Sequence, residues 1–308
     1  MTIPRHTALP QGFLLRGAHE GDVELAAAIL RAEERALRGK SVCDVADIIH
    51  FWRHANFDGG SWFGEQDGVP VAFAVAIERA GEAECWAAVH PDFHGRGIAT
   101  ALLTRAESRA REVGTRSLKA GTFAENAAAL RLFEHLGYRE ARRYYQMRID
   151  LDCAPEPPEW PEGIVPATFR PEDARAFHET LQEAFAEEWG FHVLSFEEWK
   201  RKRLNAPETD VSLWFIARDG KDIAGVARCD PKGDGGGSVG ALGVRKAWRK
   251  RGVGLALLRH AFVEFHRRGE PHVVLGVDAQ NPSGAIRLYE RAGMRVMKED
   301  IVFEKELE

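Results

Sequence analysis

Val239-Gly240-Ala241-Leu242-Gly243-Val244, followed after a short gap by Arg249-Lys250-Arg251-Gly252-Val253-Gly254, is the stretch whose reading decides the fold. The first run is strand-like. The second is a basic loop punctuated by glycine, and Leu255 to Arg268 behind it carries apolar residues at helical spacing. A second strand pattern, His272 to Val277, then Asn281 and a short helix ending in Leu288-Tyr289-Glu290 complete the block. At a strand-loop-helix junction the first helix amides have no intrahelical partner and lie at the positive end of the helix dipole. The loop therefore predicts a diphosphate cradle.

Working outward, the same block recurs earlier. Glu84 to Val89 reads as a strand, His94-Gly95-Arg96-Gly97-Ile98-Ala99 as the loop, and the residues up to about Val113 as the helix. Ser117 to Thr122 is the next strand, followed by Asn126 and a helix that runs to Leu136 and stops at Gly137. The strand-end valines are 155 residues apart (244 − 89), and so are the asparagines (281 − 126). The glycines closing the last helices are 156 apart (293 − 137), which places one inserted residue near Pro282. A constant offset between unlike features indicates an internal duplication of the chain.

The flanking segments fit two copies of one plan. After a loose leader over residues 1 to 11, a strand from Phe13 to Arg16 precedes a helix pattern through Val23, Leu25, Ala26, Ile29, Leu30 and Leu37. A second helix is predicted from Val42 to Trp52, then strands Ser61 to Glu65 and Val69 to Ile77 joined by Asp67-Gly68, a strong hairpin signal. Tyr144 to Leu151 alternates as a strand. The proline-dense, acidic run from Cys153 to Pro161 reads as an extended spacer. Beyond it come helices over Pro171 to Ala186 and Phe196 to Leu204, then two strands around Arg218-Asp219-Gly220. The expected domains are 1–151 and 164–308, joined by a linker over 152–163. Gly233 to Gly237 reads as a hairpin loop, since no helix follows it.

Composition bounds the function. The chain has 308 residues, 44% hydrophobic and 29% charged, as in a globular protein with room for two cores. A net charge of −5 argues against nucleic acid or an anionic membrane as partner, while local basic loops on an acidic body suit a small anionic ligand. Cys43, Cys85, Cys153 and Cys229 form no C-x-x-C pair, so neither zinc nor a disulfide framework is expected. Without a secretory layout at Met1 or an apolar run of membrane-spanning length, the expected location is the cytoplasm.

These motifs carry a resemblance. Both halves are similar to the GNAT superfamily of acyl-CoA-dependent N-acyltransferases, whose signature loop has Arg or Gln, two variable residues, Gly, one variable residue, and Gly or Ala. Arg249 to Gly254 satisfies it, and His94 to Ala99 does so except for the histidine in first place. The family's downstream Asn, its Leu-Tyr and its Gly-Phe are matched by Asn281, Leu288-Tyr289 and Gly293-Met294, and in the first half by Asn126, Leu132-Phe133 and Gly137-Tyr138. The resemblance implies an α/β (α+β) fold of two tandem GNAT-like domains, each with a mixed, mostly antiparallel central sheet and helices on both faces.

It also implies chemistry. Acetyl-CoA would lie between two splayed parallel strands, its pyrophosphate held by the amides of Arg249, Lys250, Arg251, Gly252, Val253 and Gly254. Leu242, Gly243 and Val244 would bind the pantetheine arm and polarise the thioester carbonyl. Asn281 would tie the cofactor or the strand end, and Tyr289 would protonate the departing thiolate. In the first half Ala88, Val89, His94, Gly95, Arg96, Gly97, Ile98, Ala99 and Asn126 occupy the corresponding cofactor positions, but Phe133 has no hydroxyl. That half is expected to be structural or regulatory, with Tyr138, Tyr144 and Tyr145 as substitutes to weigh against plain strand packing.

The general base is open among Glu187, Glu188, Asp234 and Asp278. Glu188 and Trp189 are the candidate acceptor-binding residues, for a cationic amine with an apolar body. The leading expectation is an acetyl-CoA-dependent N-acetyltransferase acting on a small-molecule amine in the second half, as a monomer or homodimer. The alternatives are a non-catalytic acyl-CoA sensor and an enzyme acetylating a protein amine.

Overall fold

The computed structural model describes residues 10–41, 43, 48–49, 52, 55, 57–79, 81–189, 191–206, 209–231, 235–281 and 283–307. Most of the expected helix from Val42 to Trp52, and Asp234 among the expected bases, lie outside the described residues. The chain forms two compact units, Met1–Arg143 with Asp300–Glu308, and Tyr144–Glu299.

In the first unit the strands are β1 (Phe13–Gly17), β2 (Ser61–Gln66), β3 (Val69–Arg79), β4 (Glu82–Val89) and β5 (Ser117–Phe123). They neighbour one another in that order, and residues 300–306 of the last strand of the chain complete the sheet against β5. Asp67 and Gly68 close the β2–β3 hairpin with positive φ at both positions (50° and 81°), the turn whose twist matches paired strands. Helix α1 (Val23–Arg38) packs on one face, burying Ala26, Ala27 and Ile29 against Phe63, Phe73 and Val75. Helices α2 (Ile98–Glu112) and α3 (Ala127–His135) cover the other, where Leu102, Leu103 and Phe133 meet Val71, Leu118 and Phe303.

The second unit repeats the plan. Strand β6 (Arg139–Asp150) enters it at Tyr144 and pairs antiparallel with β11 (His272–Asp278). Strands β7 (Ile164–Thr168), β8 (Trp214–Asp219), β9 (Asp222–Pro231) and β10 (Gly237–Val244) follow in order to β11. Four consecutive residues of β8, Trp214 to Ala217, are fully buried because both faces of the sheet are covered. Helix α4 (Ala174–Phe185) and the short α5 (Phe196–Trp199) lie on one side, with Phe177 stacked on Trp214. Helices α6 (Val253–Arg267) and α7 (Ala285–Arg291) lie on the other, where Leu257, Phe262 and Phe265 of α6 share a core with Phe215, Val273 and Leu275 of the sheet. Each unit thus has a mixed sheet with helices on both faces, as the sequence implied.

One connection departs from expectation. The strand closing each unit's sheet comes from the opposite repeat: residues 144–150 serve the second unit, and residues 300–306 of β12 (Arg295–Glu306) serve the first. Because the repeats are alike, each presents the same unpaired edge after its last helix, and either terminal strand satisfies it. The compact units therefore do not coincide with the halves 1–151 and 164–308.

Candidate active site

Within the second unit β10 and β11 run parallel but are paired only at Gly237–Val273 and Ser238–Val274. Beyond that point β10 stays on β9 as far as Val244, while β11 stays on β6 as far as Asp278, so the two strands part like a V. A bulge at Gly240, between the pairs Val239–Cys229 and Ala241–Arg228, re-aims the end of β10. On their facing edges, Leu242 to Val244 and Leu275 to Asp278 have backbone groups committed to no ladder between them. The cleft opened there measures 640 Å³.

The expected residues gather in it. Leu242, Gly243, Val244, Arg249, Lys250, Gly252, Val253, Gly254, Asn281, Tyr289, Glu188 and Trp189 all line the cleft; Arg251 does not. Gly252 caps α6 with φ 88°, a backbone that a side chain would strain, and Lys250 holds φ 62° without being glycine. The Arg249 side chain is used for structure rather than for ligand. Its Nε donates to the Val244 carbonyl (3.1 Å), one terminal nitrogen donates to the Ala184 carbonyl (3.1 Å), and the other pairs with Glu187 at 3.3 Å. It therefore pins the end of the strand to the end of α4.

The polar centre is a carboxylate, an amide and a phenol. Asn281 Nδ2 donates to Glu188 at 3.0 Å, and its Oδ1 accepts from the Ser283 amide at 2.8 Å, which fixes the direction of the carboxamide. Burial pushes the Glu188 carboxyl up. The Asn281 bond opposes that, the Asp278 charge reinforces it, and Arg249 again opposes it. Burial and the nearby Glu188 charge push the Tyr289 phenol up to about 12, so it stays protonated at neutral pH. Of the other expected bases, Glu187 is exposed and tied to Lys246 and Arg249, and Asp278 lines the cleft while accepting the Gln280 amide.

The first unit has a smaller cleft, 370 Å³, at the same place. Strands β4 and β5 pair from Ala83–Leu118 to Cys85–Ala120 and then part. Ala88, Val89, His94, Gly95, Gly97, Ile98, Ala99 and Asn126 line the gap, and Arg96 does not. His94 does what Arg249 does: its Nε2 hydrogen-bonds the Val89 carbonyl at 2.8 Å. Asn126 Nδ2 donates to Glu33 at 3.0 Å, reproducing the Asn281–Glu188 bond. Glu33 escaped the sequence reading, although it stands 155 residues before Glu188, the offset of the asparagines.

The profile of the Acetyltransferase (GNAT) family matches residues 27–138 and again 174–294. The chain belongs to this family. It is an N-acyltransferase of the GNAT type, and the two matches establish the tandem arrangement. A mycothiol acetyltransferase of Geodermatophilus obscurus is 34% identical over 225 residues, covering 70% of this chain and 71% of the relative. Another, from Nocardiopsis dassonvillei, is 26% identical across 92% of this chain and 93% of the relative. The crystal structure of a GCN5-related N-acetyltransferase from Sphaerobacter thermophilus superposes with a TM-score of 0.86 at 32% identity, covering 97% of both chains.

The two GNAT frames differ in their chemistry. Phe133, where the second unit has Tyr289, is buried, stacked on Phe303 (4.7 Å between centroids) and edge-on to Tyr138. Tyr138 does not reach the first cleft, so it supplies no hydroxyl there. Of the two tyrosines on β6, Tyr144 lines the second cleft, whereas Tyr145 packs on the core. Among the described residues no helix is long and apolar enough to cross a membrane, and no cluster of His, Cys, Asp and Glu could hold a metal.

Proposed function

We propose that the chain acetylates the primary amine of a small molecule, with acetyl-CoA as donor, in the cleft of the second unit. The observation that carries the reading is the convergence of Glu188, held by Asn281, and the protonated Tyr289 on the gap between β10 and β11. The residues present fit the donor. Gly252 and Gly254 leave the loop amides open, α6 starts there, and the free strand edge offers backbone partners to an extended amide-bearing arm. The donor supplies an acyl group activated as a thioester; the chain supplies everything else.

The amides of Lys250 to Gly254 would hold the diphosphate, and the free edge from Leu242 to Val244 would align the arm and offer an amide to the carbonyl oxygen, where negative charge develops. Glu188 takes a proton from the acceptor's ammonium, directly or through water, freeing the lone pair that forms the C–N bond. A carboxyl raised by burial is better matched to an amine than an exposed one. Tyr289 gives its proton to sulfur as the C–S bond breaks. Asn281 keeps Glu188 on the cleft side and is a positioning residue. Trp189, Tyr144 and the carboxylates of Glu188 and Asp278 form an acceptor wall suited to a cationic amine with an apolar body.

Because relatives are named for mycothiol, a mycothiol-related amine is the first acceptor to try. The first unit, with Phe133 in place of the acid, is assigned a structural or regulatory role. Release of CoA thiol with a panel of amines tests the reading. Tyr289→Phe is expected to lower kcat roughly 100-fold with KM for acetyl-CoA nearly unchanged; unchanged kcat would remove the acid from the scheme.

A further inference from the structure

Cations beside the second cleft fall into two groups. Arg249 is fully engaged, Arg245 pairs with Glu183 at 3.0 Å, and Lys246 pairs with Glu187 at 2.9 Å. Lys250, Arg287 and Arg291 also line the cleft, yet each lacks a carboxylate or hydrogen-bond partner among the described residues. Arg287 and Arg291 are four apart on α7, so two like charges share one flank of a single turn, which costs helix stability unless an anion lies between them. At about 100° per residue, Arg287 and Tyr289 fall on opposite flanks of the helix, with Leu288 between them facing the first turn of α6 at Gly254. The flank away from the phenol is therefore strongly cationic. Lys250 adds a third charge from the loop, at a backbone angle where glycine would be easier.

The diphosphate already has the loop amides and the helix dipole. A CoA thioester carries one more phosphate, on the 3′ carbon of its ribose, at the end remote from the thioester. We propose that Lys250, Arg287 and Arg291 clamp that 3′-phosphate, so that the second cleft selects the phosphorylated donor over its dephospho form. The inference rests on the donor lying in this cleft as proposed above. Arginine suits the task because its planar fork binds phosphate oxygens two at a time.

The first cleft lacks the set. The positions aligned with Lys250, Arg287 and Arg291 are Gly95, Arg131 and His135, and none but Gly95 lines the gap.

The test is calorimetric titration of the full chain with CoA and with 3′-dephospho-CoA, for wild type, the double variant Arg287→Gln/Arg291→Gln, and Gly252→Trp, each checked for a native melt. Acetyl-CoA and acetyl-3′-dephospho-CoA are compared in parallel for KM. At the second site, defined as the binding lost in Gly252→Trp, wild type is expected to prefer CoA by roughly 10- to 100-fold, less at high salt. The double variant is expected to bind the two forms alike, with its affinity for 3′-dephospho-CoA as in wild type. Equal affinity of wild type for both forms, or a double variant that weakens both equally, overturns the clamp. If Gly252→Trp instead leaves all CoA binding in place, the donor is not in this cleft, and it is the underlying reading that fails.

Discussion

The two clefts of this chain share a frame and differ in chemistry, and the division between what is kept and what is changed separates architecture from catalysis. Both have parting parallel strands, a carbonyl at the strand end (Val89 or Val244) held by a side chain from the loop, a glycine capping the helix, and an Asn–Glu hydrogen bond of 3.0 Å. Histidine replaces arginine in the strand-end tie without loss of the contact, because one N–H at the right place is all the tie requires. The differences lie at Tyr289 against Phe133, where the proposed scheme needs an acid, and at Lys250 against Gly95, where the proposed clamp needs a charge. The ladder differs as well. Strand β10 bulges at Gly240, while β4 keeps an unbroken register on β3 from Arg79–Glu82 to Ala72–Val89.

The sharpest way to break the comparison is to neutralise the matched carboxylates one at a time. Glu188→Gln is expected to cost between about 100- and 10,000-fold in kcat, the usual range for loss of a general base. Glu33→Gln is expected to leave turnover within about twofold, since Phe133 stands where the second unit has Tyr289 and has no hydroxyl to give a departing group. Steady-state thiol release for both variants decides it. A comparable loss in both would mean that the first cleft also turns over.

The same pair separates in stability. Burial pushes Glu33 up to about 7 from an ordinary 4.5, the neighbouring Glu34 charge adds to this, and the Asn126 bond opposes it. The folded-state value is the higher one, so between pH 4.5 and 7 the folded chain keeps a proton that the unfolded chain has released. Stability contributed by the neutral carboxyl is present at low pH and is lost as pH rises through that window, by roughly 3 kcal/mol. Glu33→Gln is expected to remove this dependence, giving a higher melting temperature than wild type at pH 8 and no gain at pH 4. Thermal melts at both values measure it, and a parallel shift at both would show that Gln acts through packing instead.

Much of this was readable from residue order. The offset of 155 located both loops and both asparagines, and hydrophobic period placed the strands and helices flanking them. Glu188 was legible only as one carboxylate among four, because its burial beside Asn281 and Asp278 is a tertiary property. The matching offset to Glu33 was nonetheless present in the sequence and would have singled it out. The part played by the Arg249 side chain was not legible: the sequence assigned its backbone amide to the anion loop, and only the fold shows its three side-chain nitrogens bonded to Val244, Ala184 and Glu187. The exchange of closing strands left no trace in the pattern, since two similar repeats offer equal edges and alternation along a strand says nothing about its partner.

The smallest effect concerns the one position where the two loops trade backbone ease for charge. Lys250 at φ 62° and Gly95 at φ 74° occupy the same step of the loop. A left-handed conformation costs a side-chain-bearing residue roughly 1–2 kcal/mol, of which glycine's extra freedom in the unfolded chain cancels part. Lys250→Gly is therefore expected to raise the unliganded chain's stability by about 0.5–1 kcal/mol while weakening CoA binding several-fold, and Gly95→Lys to lower stability by a similar amount with no gain in binding. Denaturant melts and titration on the same preparations read both quantities. Stability gained together with affinity lost would identify Lys250 as a residue kept at a conformational cost for its charge; stability gained with affinity untouched would leave that charge without a ligand to meet.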